Sequence, residues 1–70
     1  ERFAEAWYNR GFFLNERGLF DQALPCLDNA IGLGYRSINV LEEKLRSCDG
    51  VGDYEEGGRI SEAIESMREK

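Results

Sequence analysis

The sequence predicts an all-α chain, a helix-turn-helix solenoid of four antiparallel helices over approximately 2–15, 19–32, 37–49 and 53–69. Three observations carry this prediction. Apolar residues recur at three- and four-residue steps in four separate segments, glycines punctuate the gaps between them, and turns and small residues recur after 34 positions. A single domain spans 1–70, with one unit over about 4–37 and a second over about 38–70.

In the first segment Phe3, Ala6, Trp7, Arg10 or Gly11, and Leu14 trace one helical stripe, which stops at Asn15-Glu16-Arg17-Gly18. Gly18 is the residue able to take the left-handed backbone that leaves a helix cheaply. Phe20, Ala23, Leu24, Leu27, Ala30 or Ile31, and Leu33 form the second stripe. Pro25 interrupts it and lacks the amide that would bond to the Asp21 carbonyl, a defect worth about 3 kcal/mol inside a helix. Because it falls beside the stripe and early, a modest bend on the outer face keeps one helix, with Gly32 and Gly34 as its exit.

Ser37 suits the N-cap of the third helix, whose stripe is Ile38, Leu41, Leu45 and Cys48, and Asp49 to Gly52 forms the next turn. Asp53 suits the N-cap of the fourth. Glu55 and Glu56 fit the positive end of that helix, and Arg68 and Lys70 its negative end. Its core side reads as Tyr54, Gly57 or Gly58, Ser61, Ile64 and Met67. Two adjacent glycines weaken a helix by about 0.8–1.0 kcal/mol each, so close contact with the third helix is expected to compensate.

A shift of 34 residues places Gly18 on Gly52, Phe20 on Tyr54, Ala23 on Gly57, Trp7 on Leu41, Leu14 on Cys48 and Leu33 on Met67. In this the chain resembles the tetratricopeptide repeat family over nearly its whole length. The first unit matches the W-x-x-L-G-x-x-Y…A-x-x-x-F…P pattern at Trp7, Gly11 and Ala23, with Leu14 and Leu27 at the two aromatic sites. It departs at Arg10, in place of Leu, and at Tyr35, in place of the closing Pro. The second unit carries Leu45 where the small glycine of the pattern belongs. Independently of the family, Gly11, Ala23 and Ala30 are small enough for helices to approach, and Trp7, Leu14, Phe20 and Leu27 fill the gaps.

Composition bounds the function. A 70-residue chain has a small core with little surplus over conformational entropy, and its 41% hydrophobic content is nonetheless that of a folded chain. The net charge of −5 is spread along it, with five acidic and three basic residues in the first half and nine and six in the second. No basic patch emerges, so neither nucleic acid nor an anionic membrane is an expected partner. Histidine is absent, no serine has a base and orienter beside it, and no glycine loop has the form that cradles phosphate. Catalysis and cofactor binding are therefore not expected. Asp49, Asp53, Glu55 and Glu56 cluster at a turn but lack the spacing of a calcium loop. Cys26 and Cys48 read as buried free thiols, which suits a reducing, cytoplasmic setting. A chain beginning at Glu1 is expected to be a piece of a longer protein.

The resemblance implies a concave surface lined by the first helix of each unit, and with it a scaffold or adaptor role in protein–protein interaction. It transfers the partner-binding role to Glu5, Tyr8, Asn9 and Phe12, with Asn15 beside them, and to Asn39, Glu42 and Arg46, with Glu43. Tyr8 and Phe12, one turn apart, read as outward aromatics without an internal role. Family members that grip a carboxylate-terminated tail carry Lys and Asn where Tyr8 and Phe12 stand, so that clamp is missing. The expected partner is a protein or peptide segment with apolar and basic side chains. The competing expectations are that Phe12 and Phe13 pack against a preceding repeat, or that the chain pairs with itself as a structural segment.

Overall fold

The computed structural model describes residues 2–69, with nothing described of the Arg2 side chain. Lys70, expected to support the last helix end, lies outside the described residues. Within them the chain folds as four helices without strands: α1 over Arg2–Glu16, α2 over Phe20–Gly32, α3 over Ile38–Val51 and α4 over Tyr54–Arg68. Each helix packs on the next, and α1 also lies against α3. No Cα pair of α2 and α4 comes within 8 Å among the described residues. Thus α1 and α3 form one layer, and α2 and α4 the other.

The turns follow from backbone chemistry. Gly18 and Gly52, 34 positions apart, take φ of 79° and 84°, a region that glycine enters without steric penalty. At the first turn the Leu19 amide donates to the Leu14 carbonyl at 2.9 Å and the Gly18 amide to Asn15 at 3.0 Å. At the third turn Asp53 donates to Cys48 at 2.8 Å and Gly52 to Asp49 at 3.2 Å. The end of α2 repeats this paired closure around Gly34. Three helix ends therefore satisfy their last carbonyls in the same way.

Asp53 caps α4, accepting a hydrogen bond from the Glu56 amide at 3.3 Å. Ser37 occupies the N-cap of α3 with extended backbone, but its hydroxyl makes no capping bond. α2 continues through Pro25, which is exposed, so the lost amide bond lies toward solvent. α3 runs two residues further than its apolar stripe implied, to Val51, and takes Gly50 into the helix. The ring of Phe20 occupies the space a Gly50 side chain would need.

The core has two parts. Ala23, Leu27, Ala30 and Val40 have no exposed surface, and Cys48, Ile60 and Ile64 form a second cluster. Leu41 borders both. A side chain at Gly11 would come within 2.7 Å of Leu27, so the first hairpin closes by setting a leucine of α2 against a bare backbone in α1. The second hairpin inverts this arrangement. Leu45 stands at the position equivalent to Gly11 and lies on α4 at Gly57, where an added Cβ would meet its side chain at 3.4 Å. Bulk has moved from one partner helix to the other, which accounts for the departure at Leu45.

Several expected inward positions prove to be outside. Phe3 and Ala6 are exposed, and α1 instead buries Ala4, Gly11 and Asn15, with Trp7, Tyr8 and Leu14 half-buried. The reason is that α1 has two neighbours, α2 and α3, so its inner face is rotated toward α3 relative to the most apolar stripe. In α4 Tyr54, Ser61 and Met67 are exposed, and Gly57, Ile60 and Ile64 face inward. Leu33 lies past the end of α2 and is exposed.

These contacts separate two kinds of glycine. Gly11→Ala is expected to destabilise the chain by about 1–3 kcal/mol through overpacking against Leu27. Gly58, exposed and helical with open space beside it, should accept Ala with a gain of about 1 kcal/mol. Urea denaturation followed by far-UV circular dichroism checks both.

Candidate interaction groove between α1 and α3

The layer formed by α1 and α3 carries the predicted binding residues. Tyr8 and Phe12 stack with ring centroids 6.4 Å apart, and the Tyr35 ring meets Tyr8 edge-on at 5.1 Å and 85°. Phe12 is 41% exposed. Tyr8 is not the free outward aromatic that the stripe suggested. It is half-buried and packs on the Ala23, Leu27, Ala30 and Val40 cluster, because the α1 face turned to α3 is also interior. Phe12 remains the solvent-facing half of the pair.

The Tyr8 phenol feels both its burial and the acidic charges of α3. Its pKa is pushed above the ordinary tyrosine value by burial first, and then by the Glu43, Tyr35 and Glu42 charges. Glu42 is exposed and accepts from Arg68 of α4 at 2.6 Å. Arg46 crosses to α1, 2.9 Å from Glu16 and 3.7 Å from Glu43. The structure thus brings Tyr8 and Phe12 together on α1, while Glu42 and Arg46 of α3 are paired with Arg68 of α4 and Glu16 of α1. Glu5 lies to one side, where it lines a shallow depression of about 210 Å³ with Ala4, Leu33, Gly34 and Tyr35. Asn9 and Asn39 stand exposed on α1 and α3.

Asn15 does not belong to this surface. It is 1% exposed, and its Nδ2 donates to the Glu43 carbonyl at 3.0 Å and to Glu43 Oε1 at 2.9 Å. The Ser47 hydroxyl, wholly buried, donates to Asn15 Oδ1 at 2.7 Å. A buried amide needs such partners, and together they tie the end of α1 to α3. Tyr35 was also absent from the predicted set. Its signal was the aromatic ring standing where the repeat pattern closes with proline.

A second depression, of about 240 Å³, opens on the other side of Tyr35 among Ile31, Ser37, Leu41 and Met67. Ser37 Oγ is buried there without a hydrogen-bond partner among the described residues. Lys44 bridges α3 to α2, 2.8 Å from Asp28. Burial draws its pKa down, but the Asp28 hydrogen bond and the Asp28 and Glu56 charges outweigh this and leave it above the ordinary lysine value. Cys26 and Cys48 are free and buried. Burial, followed by the Asp53 charge, pushes the Cys48 thiol up. Among the described residues no group of three or more His, Cys, Asp or Glu side chains is placed to hold a metal ion, and no helix is long and apolar enough to cross a membrane.

Two outcomes follow from this geometry. Asn15→Ala removes its bonds to Glu43 and to the Ser47 hydroxyl, which keeps only its 3.1 Å bond to the Glu43 carbonyl, and should cost about 0.5–1.5 kcal/mol per bond lost. A double-mutant cycle with Ser47→Ala should return a coupling of about 0.5–3 kcal/mol, measured by denaturant titration. Cys48 should resist iodoacetamide in the folded chain and react in urea, as peptide mass mapping would detect. Its reaction should also need a higher pH than that of an ordinary thiol, because only the thiolate attacks.

Comparison of the chain with models of protein families, with curated protein sequences and with solved structures finds no significant match.

Proposed function

We propose that this chain is a tetratricopeptide-like protein–protein interaction module, with a scaffold or adaptor role, that takes a partner segment across the α1–α3 layer. The observation that carries the reading is the exposed Phe12 ring stacked on a half-buried Tyr8. An exposed aromatic on a supported base offers apolar area at little entropic cost. On α1 and α3 the carboxylates Glu5, Glu16, Glu42 and Glu43 outnumber the cations Arg46 and Arg68 that pair with them, which favours a segment carrying apolar and basic side chains. Asn9 and Asn39 supply amide donors and acceptors for an extended backbone. The 34-residue recurrence, the paired glycine turns and the two-layer arrangement support the family reading.

Half-buried Tyr8 and exposed Phe12 separate folding from binding. Phe12→Ala should leave thermal stability within about 0.5 kcal/mol of the parent, as for an exposed site, while weakening partner binding about tenfold or more, as for an interface anchor. Selection of peptides from a random displayed library against the immobilised chain, with affinities read by isothermal titration, provides the partner. Enrichment of acidic sequences, or peptides that bind the Phe12→Ala chain unchanged, would remove this assignment.

A further inference from the structure

The junction between the two hairpins shows what kind of surface an exposed α1 face would fit. Within the chain, α3 docks on the first hairpin through Val40, Lys44 and Ser47: Val40 enters the first core cluster, Lys44 reaches Asp28, and Ser47 reaches Asn15. Moved back by 34 positions, these residues become Ala6, Arg10 and Phe13 of α1. All three are exposed, on one helical stripe with Phe3, which is 75% exposed, and Phe13 carries Arg17 over its ring at 4.8 Å. On the receiving side, Ala30 and Asp28 move forward to Ile64 and Glu62 of α4.

We propose that this α1 face docks on the α3–α4 hairpin of a second copy of the chain, head to tail, in the register by which α3 docks on the first hairpin. The surface is separate from the α1–α3 groove and the inference does not depend on the groove binding peptide. Charge favours this partner. The α1 face is basic, with Arg10 and Arg17, and the outer face of α4 is acidic, with Glu62, Glu65 and Glu69. The Lys44–Asp28 bridge maps onto Arg10 of one copy and Glu62 of the next. Neither makes an ion pair among the described residues.

Ile64, at the position equivalent to Ala30, is already buried against Cys48 and Ile60, so the receiving contact falls on the exposed Glu62 beside it. Tyr54, 71% exposed, takes the place of Phe20, whose ring covers Gly50. The Asn15–Ser47 latch has no counterpart, because Asp49 and Phe13 occupy those positions. The contact between copies is therefore weaker than the one within the chain and reversible. Two α1 faces meeting each other would instead oppose arginine to arginine.

Sedimentation equilibrium of the chain over a concentration series, at low and high salt, tests this. The weight-average mass should rise past that of a dimer with concentration, since a head-to-tail contact does not close on itself, and fall with salt. Arg10→Glu and Glu62→Arg should each raise the association midpoint about tenfold by placing like charges opposite one another, and the double variant should restore it. Ala6→Asp, at an exposed position, should weaken association independently, with circular dichroism unchanged. A chain that stays monomeric throughout overturns the proposal. So does a mass that saturates at the dimer and is indifferent to Glu62→Arg, or a double variant no better than the single ones.

Discussion

Leu27 is the side chain at which the two halves of this molecule meet. It fits where it does because Gly11 presents only backbone, and Val40 from the second hairpin lies in the same fully buried cluster. A chain of 70 residues has little apolar surface to hide, so neither hairpin keeps a private core: Leu41 borders both clusters and Leu24 of α2 packs on the second. The α1–α3 contact follows from this sharing.

The polar groups that cross between helices act in two ways. Lys44–Asp28, Arg46–Glu16 and Arg68–Glu42 each join neighbouring helices at the surface, where such pairs contribute about 0–1 kcal/mol and mainly orient what they join. The Asn15, Ser47 and Glu43 network is buried, and removing one member strands another away from water. Alignment of α1 on α3 therefore rests on the latch rather than on the surface charges.

Much of the fold was legible in the sequence. The helix boundaries lie within two residues of those expected, and the glycine turns and the close approach at Gly11 follow from chemistry that is local or one repeat away. Hydropathy could not show which way α1 faces. Its most apolar stripe includes Phe3 and Ala6, yet burial is decided by having neighbours on two sides, and that places Tyr8 and the polar Asn15 inside. Asn15 looks like a surface residue until Ser47, 32 positions later, is brought beside it. The resemblance pointed to Phe12, Glu42 and Arg46, which stand exposed, whereas Tyr35 comes beside Tyr8 only through the path of the loop after α2.

The exchange of bulk between the hairpins also bears on how the chain avoids misassembly. Repeats of similar sequence invite wrong pairing, in which the first helix of one unit closes on the second helix of the other. Here that mistake carries its own penalty. α1 closed on α4 would bring Gly11 to Gly57 and leave a void, and α3 placed on α2 in hairpin register would drive Leu45 into Leu27. Each helix thus carries, in the size of one residue, the identity of the partner it can close upon.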